Sequence, residues 1–263
     1  MSLPAEHPRD ALRRDEALLD AVIPGSAHSD DPVDYSVGPG AARADDAMGH
    51  SADPGAGPLV RWWVASAPAV VVGLGVRHRL ASIVDVERCR AAGVEVLERR
   101  AGGGALLVDE HMLCGAICLP RASISEDVTE SYRWLGDLLA SRLRSLGVAD
   151  ARRVAVDEAR ADVAKLKSRD DPVARILLAT CYGALSPHEV AVGQAKLVGL
   201  AQIRRRHAAL FQFGLLLRDQ SSLADFLQVP DEATRAEVRA ALRQRTVGFD
   251  LPVQTDQLLQ WPW

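Results

Sequence analysis

Three consecutive glycines, Gly102-Gly103-Gly104, interrupt two apolar runs within Arg99-Arg-Ala-Gly-Gly-Gly-Ala105. Without Cβ atoms this stretch weakens a helix or strand interior, so it reads as a loop between a strand ending at Arg99 and one beginning at Ala105. Its backbone can approach a ligand closely and turn amides toward it, while the Arg99 and Arg100 guanidiniums can fork onto a carboxylate or phosphate. A plain hairpin turn is the alternative for the motif taken alone.

The 263 residues are enough for one large domain or two small ones with a proper core. Hydrophobic residues make up 48% and charged residues 25%, and no run of about 18 apolar residues occurs, so no membrane span is expected. Residues 1–14 lack the layout of a secretory signal, which points to a cytoplasmic protein. The formal net charge of -4 excludes a global basic field for nucleic acid or anionic lipid. Cys89, Cys114, Cys118 and Cys181 are expected as reduced thiols. Cys114 and Cys118 share one face of a strand, where they read as core thiols rather than metal ligands.

Along the chain, Arg13–Val22 reads as an amphipathic helix that docks on the core. Residues 24–58 are rich in Gly, Pro, Ala, Ser and Asp and are expected to form a disordered acidic insert. Strands are predicted at Leu59–Ala65 and Ala69–Gly73, a helix over Leu80–Ala92 ending at Gly93, a strand at Val94–Glu98, and a strand pair through Leu119. Ser123 with Glu126 suggests a capping box ahead of a helix reaching Gly147. Further strands are expected at Arg175–Thr180, Glu189–Val192, Lys196–Ile203 and Ala209–Leu217, then short helices near Ser221–Gln228 and Asp231–Gln244. The sum is α+β without internal repeats. Val70-Val-Val-Gly-Leu-Gly75, followed by a helix and a strand, also allows a dinucleotide-binding unit, although His78 stands where a third glycine belongs.

The glycine loop has a companion. Lys196-Leu-Val-Gly-Leu-Ala-Gln202, Arg204 and Phe211-Gln-Phe-Gly214 follow about a hundred residues later. Together the two blocks resemble the signatures of the lipoate-protein ligase, octanoyltransferase and biotin ligase catalytic-domain family, and Asp15-Glu-Ala-Leu-Leu19 resembles its opening helix. The resemblance implies a central mixed or antiparallel sheet flanked by helices. It divides the chain into a docking helix at 1–23, the insert at 24–58, and a catalytic domain with carboxy-terminal helices at 59–263. It further implies substrate-binding roles for Arg99, Arg100, Gly102, Gly103, Gly104, Ala105, Gly199, Ala201, Gln202 and Arg204.

Cys181-Tyr-Gly-Ala-Leu-Ser-Pro-His-Glu189 is similar to the segment ahead of the lysine block in octanoyltransferases of the cysteine-loop type. In that family the cysteine takes an acyl group from acyl carrier protein as a thioester and yields it to a lysine of a lipoyl domain. The resemblance thus implies catalytic roles for Cys181 and Lys196, with the ammonium near the thiol and the acyl carbonyl. A buried structural thiol at Cys181, a solvated charge at Lys196 and a solvated strand end at Arg204–His207 are the plain alternatives. The family's usual His-Asp after the glycine loop is Val108-Asp109 here, its His-Gly turn is Phe213-Gly214, and Gln194-Ala195 replaces Gly-Arg before the lysine. The transferase reading needs no cofactor or metal. An ATP-dependent lipoate ligase, which would need ATP and magnesium, and a non-catalytic acyl- or carrier-binding module are the other readings. The sequence implies an elongated apolar cleft where the glycine loop meets the Lys196 strand.

Overall fold

The computed structural model describes residues 3–22 and 58–249; the predicted insert at 24–58 therefore falls outside the described residues, apart from Pro58. A mixed sheet of seven strands is flanked by helices and faces a smaller sheet of three. In chain order the elements begin with β1 (Ala5–Glu6), α1 (Pro8–Ala21), β2 (Leu59–Ala65), β3 (Ala69–Gly73), α2 (Leu80–Ile83), α3 (Val86–Ala91) and β4 (Glu95–Arg99). There follow β5 (Leu106–Val108), β6 (Met112–Pro120), α4 (Arg133–Ser145), β7 (Ala151–Arg153), α5 (Val156–Arg169) and α6 (Pro172–Leu178). The chain then runs through β8 (Val190–Val192), β9 (Ala195–Arg204), β10 (Ala208–Leu216) and α7 (Glu232–Arg245).

The large sheet has the order β1-β2-β6-β10-β9-β8-β7, and the small one β4-β3-β5. β6 and β10 form its centre, antiparallel from Met112 opposite Leu216 to Pro120 opposite Ala208. Both are buried almost throughout, as near-continuous apolar runs require. α4 follows the i, i+4 rule with Leu135, Leu139 and Leu143, all buried. Trp134, next to that stripe, meets Phe211 of β10 edge to face at 5.5 Å.

α1 covers the opposite face of the sheet. Pro8 opens it at a position where a missing N–H costs nothing, and Ala11 and Asp15 turn inward. Asp15 is only 2% exposed, yet its carboxylate is fully engaged. It is paired with Arg61 of β2 and accepts from Trp63 Nε1 at 3.2 Å and Gln212 Nε2 at 3.1 Å. Arg61 also holds the carbonyl of Ala11 at 2.9 Å. One buried carboxylate thus fastens α1 to β2 and β10.

Four local expectations are corrected. The Leu80–Ala92 helix is broken at Val84-Asp85, because Val84 is extended and bridges Leu227 while the Asp85 carboxylate caps a new helix through the Arg88 amide. The Ser123–Glu126 capping box is absent. Arg204 takes the carbonyls of Ser125, Glu126 and Asp127 at 2.7–3.2 Å, holding this stretch out of the helix, which begins at Arg133. Arg175–Thr180 is not a strand. Asp171 caps the Ala174 amide at 2.7 Å, Pro172 supplies the first turn, and Val173, Ala174 and Leu177 share the buried face of α6. β7 and α5, which the sequence reading passed over, complete the far edge of the large sheet and its cover. β3 and β4 are parallel across α2 and α3, but β5 is antiparallel and ends the small sheet, so no doubly wound sheet develops. Among the described residues, no helix is long and apolar enough to cross a membrane.

Burial pushes the Asp15 carboxyl up to about 6, against the opposing pull of Arg61. A raised carboxyl contributes stability that is complete below its unfolded value near 4 and lost as pH rises through about 6. The stability of the parent relative to Asp15→Asn is therefore expected to fall by roughly 2–3 kcal/mol between pH 4 and 7, read from urea unfolding at each pH.

Candidate functional site

The glycine loop and the Cys181 segment are joined directly by backbone. α6 is capped by Ala179, whose carbonyl accepts from the Ala105 amide at 2.9 Å, and the Cys181 amide donates to the Ala105 carbonyl, also at 2.9 Å. Space here admits only glycine. A Cβ on Gly104 would stand 2.2 Å from the Ala179 carbonyl oxygen, and one on Gly103, where φ is +108°, would stand 2.6 Å from Cys181 Sγ. Gly73 at the end of β3 abuts the same loop, with a Cβ there only 2.3 Å from the Gly103 carbonyl oxygen. In the same turn, where a dinucleotide pyrophosphate would need free amides, the Leu74 amide donates to the Ala101 carbonyl at 3.1 Å.

Cys181 is half-buried, whereas Cys89, Cys114 and Cys118 are buried; none of the four is in a disulfide. Its sulfur lies 3.3 Å from the Gly104 carbonyl and accepts from Arg99 Nη2 at 3.3 Å. The same Arg99 nitrogen donates to the Gly102 carbonyl at 2.9 Å, so the arginine spans the base of the loop. Burial pushes the Cys118 thiol up to about 12 and the Cys114 thiol higher still, which holds both as inert thiols at neutral pH.

Lys196 is fully buried. Its ammonium pairs with Glu189 at 2.5 Å and donates to the Cys181 carbonyl at 2.6 Å, so it approaches the main chain of that residue rather than its sulfur. Glu189 also accepts from the amides of Ser186 at 3.0 Å and Leu200 at 3.2 Å. Burial pushes the Glu189 carboxyl up and Lys196 draws it back. Tyr182, next to Cys181, donates its hydroxyl to the Gly214 carbonyl at 2.6 Å and accepts from the Gly199 amide at 3.2 Å. Gly199 and Gly214 leave the room that this phenol occupies.

The remaining sequence candidates separate. Arg100 is exposed, and its amide donates to Glu16 of α1 at 3.3 Å. Ala201 packs with Ala101 and Ala116 beneath the loop. Gln202 and Arg204 are directed away from Cys181: Gln202 Nε2 holds the Val128 carbonyl at 3.0 Å, and Arg204 Nε donates to Gln202 Oε1 at 2.8 Å. They clasp the 125–131 segment.

An apolar cleft opens where the two sheets and α1 meet. Leu12 and Asp15 of α1, Val71, Leu106 and Val108 of the small sheet, and Trp63, Met112, Cys114, Gly115, Gln212, Phe213 and Gly214 of the large sheet line it, with Arg99 completing the wall. Arg99 connects this cleft to Cys181, while neither the three glycines nor the Lys196 strand lines it, so the cleft differs from the expected meeting of glycine loop and Lys196 strand. Val108 and Phe213, where the resemblance leads to the expectation of histidine, both line the cleft. Asp15, Trp63 and Gln212 were missed as wall residues. The signal was present at Gln212, a polar side chain inside an otherwise apolar strand.

Gly103→Ala is expected to cost roughly 1–3 kcal/mol because the left-handed backbone and the Cys181 contact both oppose a methyl group. Gly102→Ala, with open space around its position, should cost under about 1 kcal/mol. Lys196→Met should cost roughly 3–5 kcal/mol by leaving Glu189 buried without its cation. Denaturant unfolding distinguishes the three.

The family model of the lipoyl protein ligase A/B catalytic domain matches residues 41–248. An octanoyltransferase LipM of Exiguobacterium sibiricum is 30% identical over 184 residues, 68% of this chain and 63% of that protein. The LipM of Kyrpidia tusciae is 31% identical over 181 residues, 68% of this chain and 62% of its own. The chain thus spans somewhat less than two thirds of the length of these relatives. Among solved structures, a bipartite lipoate protein ligase of Thermoplasma acidophilum, described with its E2 lipoyl domain, has a TM-score of 0.63 at 18% identity over 98% of this chain and 80% of that one. A lipoic-acid-bound protein of the same organism, described as a putative lipoate protein ligase, gives 0.60 at 18% identity, covering 98% and 79%. The shared fold, the paired signature blocks and the family match over residues 41–248 have one meaning: the chain belongs to the lipoyl protein ligase A/B catalytic-domain family.

Proposed function

We propose that this chain moves an octanoyl or lipoyl group from acyl carrier protein to a lysine of a lipoyl domain, with Cys181 as the acyl-accepting nucleophile. The observation that carries this reading is the half-buried Cys181 sulfur, held beside the glycine loop and joined through Arg99 to an apolar cleft. An acyl chain needs an apolar channel with a few polar groups at its reactive end, and this cleft has that composition. The names of the LipM relatives agree with octanoyl transfer.

In the first half-reaction the Cys181 thiolate attacks the carbonyl carbon of the donor thioester. A carbon–sulfur bond forms, the carbonyl electron pair moves to oxygen, and collapse expels the carrier thiolate, which takes up a proton. In the second, the neutral lysine amine attacks the Cys181 thioester, and the cysteine leaves as thiolate while the amine sheds a proton. Neither half consumes ATP. Lys196 supports the reaction by fixing the Cys181 main chain through its carbonyl. Gly102, Gly103, Gly104 and Ala105 bring backbone close to the acyl group, and Gly199 makes room for Tyr182 behind the cysteine. Val108 and Phe213 make the cleft wall apolar where a histidine would place a polar group.

The test is intact mass after incubation with octanoyl acyl carrier protein in the absence of ATP. An octanoyl adduct is expected on the parent and not on Cys181→Ser, whose unfolding free energy should stay within about 1 kcal/mol of the parent. Transfer that survives in Cys181→Ser and requires ATP and magnesium would instead establish the lipoate ligase reading.

A further inference from the structure

We infer that Arg99, not Lys196, is the cation that holds the Cys181 thiolate and receives the negative charge of the acyl carbonyl during transfer. The inference rests on the acyl-transfer reading and assigns it a second catalytic residue. Three observations carry it. First, Arg99 Nη2 donates to Cys181 Sγ at 3.3 Å, whereas the Lys196 ammonium is committed to the Cys181 carbonyl at 2.6 Å and to Glu189 at 2.5 Å. A lysine whose charge is matched by a buried carboxylate presents little net field to a neighbouring sulfur. Second, among the described residues no carboxylate lies within ion-pair distance of Arg99, whose partners there are the Gly102 carbonyl and the sulfur. Third, Arg99 lines the apolar cleft, and its Nε has no hydrogen-bond partner among the described residues.

A guanidinium presents several donors in a fixed fork, so one nitrogen can keep the sulfur while another takes an oxygen alongside it. As the Cys181 sulfur pair closes on the thioester carbonyl carbon, the carbonyl oxygen gains the displaced electron pair. That charge develops within reach of a preorganised cation in a largely apolar wall, where such stabilisation is strongest. On collapse the pair returns to re-form the carbonyl, and the donor thiolate departs with its own electrons. The cation then sits beside the thioester sulfur, ready to stabilise the leaving thiolate of the second step.

The experiment reads the charge at the sulfur without any acyl donor. The alkylation rate of Cys181 is measured with anionic iodoacetate and with neutral iodoacetamide, and their ratio reports the cation beside the thiol. In Arg99→Gln the ratio is expected to fall by about tenfold, and Arg99→Lys should recover most of it. Arg205→Gln, which removes a cation near Glu16 on the same side of the molecule, should leave the ratio at the parental value. A parental ratio in Arg99→Gln overturns the inference, as does an equal fall in Arg205→Gln. Arg99→Gln should also slow octanoyl adduct formation by more than it slows iodoacetamide, since only the former develops an oxyanion. If the two slow equally, the oxyanion role falls. A protein that shows the Arg99-dependent ratio yet forms no adduct from octanoyl carrier protein would refute the thioester reading and leave the cation assignment standing.

Discussion

Two hydrogen bonds hold the site together: Ala105 to the Ala179 carbonyl, and Cys181 to the Ala105 carbonyl, each 2.9 Å. They attach the end of the glycine loop, which belongs to the small sheet, to the end of α6, which leads into β8 and β9 of the large one. Without them the sulfur, Arg99 and the cleft would be carried on separate pieces of chain. The glycines follow from this constraint. At Gly104 and Gly103 the approach is too close for a Cβ, and Gly73 yields the third side of the junction.

Beneath the junction lies a fully buried ion pair. Removing Lys196 and Glu189 from water is expensive, and their attraction is helped to offset that cost by further hydrogen bonds to both groups. The Glu189 oxygens accept from the Ser186 and Leu200 amides, and the ammonium reaches the Cys181 carbonyl. The pair therefore ties three segments to one point: the loop after Cys181, the start of β8 and the body of β9. Its contribution is better described as fixing one arrangement than as adding stability.

Much of this was legible in the sequence, for physical reasons that differ by element. β2, β3, β9 and β10 were recognisable because their apolar runs are bounded by Gly, Pro or charged residues, and the glycine loop because few other contexts tolerate three such residues. Lys196 was singled out through the paired family blocks and Cys181 through the segment that precedes the lysine block. What failed depended on contacts between distant residues. The 125–131 segment carries a capping-box pattern, but Arg204 takes its carbonyls. Residues 175–180 look strand-like until Asp171 and Pro172 are weighed as a helix start. The distribution of Gln202 and Arg204 away from Cys181, and of Lys196 onto a main-chain carbonyl, is set by strand register and by partners such as Glu189. Spacing within one block does not encode those relations.

The fastening of α1 has a consequence for the order in which the molecule is assembled. Asp15 is made well before the Gln212 amide that completes its coordination, 197 positions further on, and Trp63 and Arg61 belong to a strand paired with β6. A contact of such long sequence separation carries a loop-closure cost that local pairing does not. Leu12 and Asp15, the wall that α1 contributes to the cleft, therefore reach their full set of contacts only once β10 has been made.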